Sequence, residues 1–273
     1  MFQPKEIAEN YIEIGHKKAS TPVSKVLVLA FMAGLFVALT AAGVNTAVAA
    51  VGDRAGLIVA ACIFPAALTM VLLAGSELFT GNTLLVIPLL CGKISWRVML
   101  RNWLFVYIGN FLGSMAALGL YLLSGQMGLM EGGVALVTMQ TAAIKLSFSF
   151  PQALALGVAC NVLVCVAVWI SFSAKTTSGK ILGLYLPIVI FVMCEFEHCI
   201  ANMYYIPAGI AAAQNPAFAG LALSAGIDTA ALNWGAFLLK SLLPVTIGNI
   251  LGGSVLIGLP YWFIYLRNSD KKT

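Results

Sequence analysis

The chain has 273 residues, 61% of them hydrophobic and only 9% charged, with a formal net charge of +5; its mean hydropathy is +0.98. Soluble domains carry about 25% charged residues, so this composition excludes a soluble enzyme, a nucleic-acid binder and a disordered chain. It predicts an all-α integral membrane protein with almost no domain outside the bilayer.

In chain order, residues 1–24 come first and are polar from Pro4 onward. Ile7, Tyr11 and Ile14 fall near one helical face, with Glu6, Glu9, Glu13, Lys17 and Lys18 mostly elsewhere. That pattern predicts an amphipathic helix lying on the cytoplasmic membrane surface. No short apolar stretch with a cleavage site opens the chain, so no removable signal peptide is expected. Six apolar segments follow, at about 25–51, 56–91, 102–123, 152–173, 181–212 and 236–265, each near or above the roughly 20 residues that cross a bilayer. The second and fifth are too long for one plain helix. Both carry polar residues in the middle: Ser76-Glu77-Leu78-Phe79-Thr80-Gly81-Asn82-Thr83 in one, and Glu195-Phe196-Glu197-His198 followed by Asn202 in the other. Both spans are therefore expected to be broken. The expected organisation is the helix in 1–24, a six-span membrane domain over 25–266 and a cytoplasmic tail at 267–273.

With the N-terminus inside, the outer loops hold only Arg54, Lys145 and Lys240, and every other Lys and Arg falls on the inner side. The positive-inside rule then sets both termini in the cytoplasm of a multi-pass inner (plasma) membrane protein, and topology accounts for the basic net charge. Ile108-Gly109-Asn110-Phe111-Leu112-Gly113 recurs as Ile247-Gly248-Asn249-Ile250-Leu251-Gly252, offset by 139 residues. The chain thus reads as two three-span halves, about 25–130 and 131–266. An odd number of spans per half forces opposite orientations, the inverted-repeat arrangement of transporters and channels with a site at the midplane. The bland alternative is chance recurrence in glycine-rich membrane helices.

The cysteines Cys62, Cys91, Cys160, Cys165, Cys194 and Cys199 lie in or beside apolar runs, and none forms a C-x-x-C pair. No metal or redox site is expected from them, and no cofactor. Charges at the bilayer centre cost roughly 2.5–3.5 kcal/mol on insertion scales, so Glu77, Glu195, Glu197 and His198 require a polar path or freed backbone to serve. Glu77 and Glu197, with Asn202, are read as caps on the half-helices after the breaks. His198 is the sole histidine within the apolar segments, His16 lying in the N-terminal stretch. A core hydrogen bond is its bland reading and a pore role the favoured one, since histidine titrates near neutrality and suits a proton relay. Lys145 follows an outer linker of mostly small and apolar residues. It either snorkels to the interface or attracts anions, and the residue alone fits both. Leu68, Leu78, Phe79 and Phe191 fit ordinary packing, while Leu78 and Phe79, beside a break, also fit a dry constriction.

At these residues the sequence resembles the formate/nitrite transporter family over nearly its whole length. The matching stretches are Gly75-Ser-Glu-Leu-Phe-Thr-Gly81, Asn102-Trp103 with Gly109-Asn110-Phe-Leu-Gly113, Gly157 with Cys160-Asn161 and Leu163-Val-Cys165, and above all Phe196-Glu-His-Cys-Ile-Ala-Asn-Met203. Pro244-Val-Thr-Ile-Gly-Asn249 through Tyr265-Leu-Arg267 resembles the family's bacterial formate branch, while Gly75 to Gly81 is nearer its nitrite branch. The resemblance implies an aquaporin-like fold, a homopentamer with one pore per protomer, and small monovalent anions as substrates: formate first, then nitrite, hydrosulfide, acetate or lactate. It also implies roles. His198 is the central pore histidine, with Thr80 and Asn161 as its hydrogen-bonding partners. Leu68 forms the inner constriction, and Leu78, Phe79 and Phe191 the outer one. Lys145 draws anions to the vestibule, 76–83 is a mobile loop and the N-terminal helix is a cytoplasmic gate. One departure stands out: Glu195 occupies a place where the family has Gly or another small residue. A water or neutral-solute facilitator of the aquaporin type is the reading from another class. It calls for an Asn-Pro-Ala pair at the breaks, but Asn215-Pro216-Ala217 occurs once, in an outer loop.

Overall fold

The computed structural model describes residues 1–267, except for the side chains of Asp53 and Arg54. The inner-side charges Lys271 and Lys272, the tail after residue 267 and the outer charge of Arg54 lie outside it. Every regular element among the described residues is helical. In chain order the principal ones are α1 (Pro4–Ser20), α2 (Val23–Val51), α3 (Ala55–Leu73), α4 (Phe79–Leu90), α5 (Trp96–Leu123), α6 (Gly133–Ser147), α7 (Phe150–Ser173), α8 (Thr177–Met193), α9 (Cys199–Gln214) and α10 (Trp234–Tyr265). Of these, α2, α3, α5, α7 and α10 are long and apolar enough to cross a membrane, and α4 and α8 are shorter apolar helices. Non-helical stretches separate α3 from α4 and α8 from α9.

Local chemistry fixes the helix starts. Ser149 and Gln152 form a capping box at α7 with Pro151 in the first turn, where its missing N–H costs nothing. The Ser95 hydroxyl accepts from Val98 N at the start of α5, and Thr176 accepts from Gly179 N at α8. The recurring hexapeptide marks two close helix crossings, α2 on α5 and α7 on α10. A methyl group at Gly113 would strike the Phe31 carbonyl, and one at Gly252 the Val158 carbonyl. Small residues of this kind let membrane helices approach backbone to backbone.

Two segments differ from the sequence reading. Residues expected as an outer linker contain α6, which buries Val134, Ala135, Thr138, Met139, Ala142 and Leu146 and packs on α9. Its small apolar side chains hide the usual two-faced pattern. The apolar face of α1, expected to meet lipid, is packed against protein. Ile7, Ala8, Tyr11, Gly15 and Ala19 are buried beneath α4, α5, α7 and the end of α10. The Arg101 guanidinium donates to the Ala19 carbonyl at 2.7 Å, and Phe2 N donates to Ser173 O at 2.8 Å. Small residues at positions 8, 15 and 19 allow that close seat.

Candidate functional site

The two non-helical stretches, 74–78 and 194–198, are built alike. Each turns on a left-handed residue, Gly75 at φ 79° and Glu195 at φ 51°. Each is followed by a carboxylate, Glu77 or Glu197, whose backbone N–H donates to a neighbouring helix: Glu77 N to Leu29 O and Glu197 N to Leu156 O, both at 3.3 Å. The asparagines of the recurring hexapeptide serve the backbone freed here. Asn110 Oδ1 accepts from Phe79 N at 3.0 Å, while its amide donates to Ala30 O and Glu77 O. Asn249 Oδ1 accepts from Cys199 N at 2.9 Å, while its amide donates to Gly157 O and Glu197 O. Groups that lipid cannot satisfy are thereby paired.

The carboxylates do not cap backbone N–H groups, contrary to expectation. Lys18 Nζ lies 2.9 Å from Glu77 Oε1, and Asn82 donates to Glu77 Oε2 at 2.6 Å. Lys145 Nζ lies 2.7 Å from Glu197 Oε1, and Asn202 donates to Glu197 Oε2 at 2.6 Å. Asn202 likewise donates to side chains, those of Glu197 and Ser241, and not to the helix backbone. The physical reason is charge: an ammonium compensates a buried carboxylate, while neutral asparagine oxygens suffice for the backbone N–H groups. Lys145 is thus an ion-paired residue and not the isolated cation that its sequence neighbourhood implies. It also lies 5.3 Å from the Tyr205 ring centre.

His198 is 4% exposed. Its Nδ1 accepts from Ala201 N at 3.1 Å and so caps α9. That assigns the proton to Nε2, which donates to Thr80 Oγ1 at 2.9 Å. Asn161 does not reach the imidazole. Its amide donates to Thr80 O, Thr83 Oγ1 and Asn249 O, so it holds the backbone that presents Thr80.

Three spaces share walls in series, and His198 lines the first two. A cavity of about 570 Å³ is lined by Lys145, Glu195, Glu197, Asp228, Phe64, Phe191 and His198 among others. Phe64, Phe191 and His198 also line a chamber of about 20 Å³ that is otherwise apolar. The Phe64 and Phe191 rings meet edge to face at 5.5 Å. Leu68 and Leu78 line that chamber and also a third space, of about 20 Å³, together with Tyr11 and Lys18. Leu78 therefore shares the small chamber with both Leu68 and Phe191, and the third space with Leu68. Phe79 lines none of the three spaces, because its ring is held edge-on by Tyr107 at 4.9 Å and Trp103 at 6.1 Å. Sequence reasoning missed Phe64, which sits on the apolar face of α3 without a polar neighbour, and Lys18, read as part of a solvated face. Asn215 accepts from Ala217 N within its own turn, away from both stretches, which accounts for that lone Asn-Pro-Ala as local turn chemistry.

The profile described as "Formate/nitrite transporter" matches residues 5–263. The chain belongs to the formate/nitrite transporter family. It is accordingly a multi-pass membrane protein of a transport family and not an enzyme. It is 37% identical to the formate channel FocA of Escherichia coli K12 over 276 residues, covering 99% of this chain and 96% of that one. It is 39% identical to the uncharacterized transporter YrhG of Bacillus subtilis 168, over 99% and 96%. Among solved structures, a pentameric formate channel with formate bound matches with a TM-score of 0.77 and 36% identity, over 90% of this chain and 98% of that one. An FNT family ion channel matches with a TM-score of 0.79 and 29% identity, over 95% and 97%.

Proposed function

We propose that the protein is a channel for formate and similarly small monovalent weak-acid anions, working as a homopentamer in the inner (plasma) membrane. Each protomer carries six spans in two inverted halves. The second span is α3 with α4, the fifth is α8 with α9, and both termini face the cytoplasm. The observation that carries this reading is the walled series of spaces: a roomy polar cavity, then an apolar chamber bounded by Phe64–Phe191 on one side and Leu68–Leu78 on the other, with His198 facing it. The matching hydrogen-bond patterns of Asn110 and Asn249 support the inverted halves. Relatives named as formate channels support the substrate.

An anion that entered the dry chamber with its charge intact would lose its hydration without replacement. A neutral acid crosses at far lower cost. In this mechanism the anion enters the outer cavity, takes up a proton that comes from the water there, passes as the acid, and ionises again beyond Leu68 and Leu78; the His198–Thr80 pair relays that proton only by taking another from the same water, so no net charge stays on the imidazole. Asn161 fixes Thr80, and Lys145 compensates Glu197 beside the histidine.

The test is initial formate flux into proteoliposomes from about pH 5 to 8, spanning the ordinary histidine value near 6.5, for the parent, His198→Phe and His198→Asn. Bulk protonation alone makes flux rise as pH falls, so the comparison between proteins decides. The expected outcome is a flattened profile in His198→Phe and an altered one in His198→Asn, with the oligomer intact. Superimposable profiles would show that water delivers the proton directly and leave His198 a structural role.

A further inference from the structure

Thr80 owes its place to α10 as well as to Asn161. Its carbonyl accepts from Thr83 Oγ1 at 2.6 Å, from Asn161 Nδ2 at 3.2 Å and from the Cys165 thiol at 3.6 Å. Three donors on one oxygen fix the first turn of α4, and with it the direction of the Thr80 hydroxyl that meets His198. Thr83 is fully buried and needs a mount of its own. Ser254 Oγ supplies it from α10, donating to Thr83 O at 2.9 Å across 171 positions of sequence. Asn249 O, also on α10, accepts from Asn161 Nδ2 at 2.6 Å.

The winding of α10 suits this task. Over Leu251–Gly258 it is wider than an α-helix, and Leu259 N donates to Ser254 O, five positions back. Wide turns inside α-helices are rare and frequently lie at functional sites. Here the widening turns two adjacent residues toward α4 and α7. A methyl group at Gly253 would strike Thr83 Oγ1, Asn161 Nδ2 and Cys165 Sγ together, so glycine leaves the gap that these groups fill. The hydroxyl beside that gap is the second device. Thr40, Thr46, Thr69 and Thr138 each donate to the carbonyl four residues back in their own helix, the usual outlet for a hydroxyl within a helix. Ser254, 7% exposed, donates to another helix.

We propose that Ser254, with the gap left by Gly253, is a positioning residue for the Thr80–His198 pair. It acts through Thr83: Ser254 holds Thr83, Thr83 and Asn161 hold the Thr80 carbonyl, and the Thr80 hydroxyl is thereby kept in line with His198 Nε2. The consequence for transport rests on the formate-channel reading, whereas the positioning itself does not.

The experiment compares the parent with Ser254→Ala, Thr80→Val and the double variant, all reconstituted in proteoliposomes after size-exclusion chromatography shows the oligomer intact. Isotope-labelled histidine gives signals from two imidazoles only, His16 and His198, and His16→Gln in every sample leaves one. By solid-state magnetic resonance, the His198 Nε2–H signal is expected to move in Ser254→Ala toward its place in Thr80→Val. Initial formate flux is then followed from about pH 5 to 8, across the ordinary histidine range. Ser254→Ala is expected to lower flux about fivefold, as fits one hydrogen bond, and to shift the pH profile toward that of Thr80→Val. In the Thr80→Val background, Ser254→Ala should change neither further, since a residue that acts through a hydroxyl has no effect once the hydroxyl is gone. A His198 signal in Ser254→Ala that stays at the parent's position would overturn the proposal, as would flux losses that multiply in the double variant, the mark of a separate structural effect. The formate-channel reading fails separately, on absence of formate uptake by the parent, and in that case the His198 signal still decides the positioning role.

Discussion

Position 195 needs a left-handed backbone, as its counterpart Gly75 does. Glycine adopts that conformation freely, whereas other residues lose roughly 1–2 kcal/mol there. Glu195→Gly is therefore expected to stabilise the protein by about 1 kcal/mol, read as a higher thermal transition. The side chain has a second consequence. Lys145 is balanced by Glu197 at 2.7 Å, so Glu195 and Asp228 leave the described wall of the large cavity net negative. Asp53 and Arg54, outside the described side chains, carry opposite charges. A negative mouth opposes anion entry over a range set by screening, about 10 Å at 0.1 M salt. Glu195→Gln should then raise formate flux most at low ionic strength and little at high salt. Equal effects at both would show that the carboxylate acts locally or not at all. The Lys145–Glu197 pair obeys a different rule, because the Glu197 side chain is only 2% exposed. Lys145→Gln strands a buried charge and is expected to cost about 3–5 kcal/mol, while Lys145→Gln with Glu197→Gln should recover most of it in denaturation measurements.

The stretches between α3 and α4 and between α8 and α9 show how far sequence pattern reaches. Both were legible from polar runs inside segments too long for one helix, and the recurring Ile-Gly-Asn pointed to the two asparagines that serve them. What Asn110 and Asn249 do was not legible, because their partners belong to other helices and lie 31 to 92 positions away. The same distance problem misassigned Glu77. Capping is the natural reading of a carboxylate before a helix, and only the fold brings Lys18, 59 residues earlier, within 2.9 Å. Phe79 and Leu78 are adjacent in sequence, yet one packs between aromatic rings and the other lines two chambers. Adjacency does not tell which way each side chain faces. The asparagine assignment makes its own prediction. Asn110→Leu or Asn249→Leu leaves one backbone donor and two carbonyls without their partner. At about 1 kcal/mol or more per stranded group, each change should cost about 3 kcal/mol, and rapid amide exchange should be confined to the affected stretch. Exchange spread evenly over the molecule would show that the asparagine is not what secures that stretch.

Across the whole molecule, the proposed path crosses two dry partitions in series, Phe64–Phe191 and Leu68–Leu78, with the small His198 chamber between them. Serial barriers make a distinctive prediction about selectivity. Each partition alone suffices to reject a divalent anion, since neither offers ligands to replace lost hydration. Phe191→Ala or Leu68→Ala should each leave sulfate excluded, because the other partition still stands. Formate flux in either variant should change only modestly, by about twofold if the two barriers are comparable. Phe191→Ala with Leu68→Ala removes both, and sulfate should then pass, an effect far greater than the product of the single changes. Such truncations cost roughly 2–5 kcal/mol each in a packed core, so the oligomer is checked by size-exclusion chromatography before reconstitution. Stopped-flow measurements on liposomes with formate and sulfate gradients give the answer for all four proteins. Sulfate flux through either single variant would mean that one partition alone carries the selectivity. Sulfate exclusion in the double variant would place the barrier elsewhere, with Tyr11 and α1 over the third space as the next place to look.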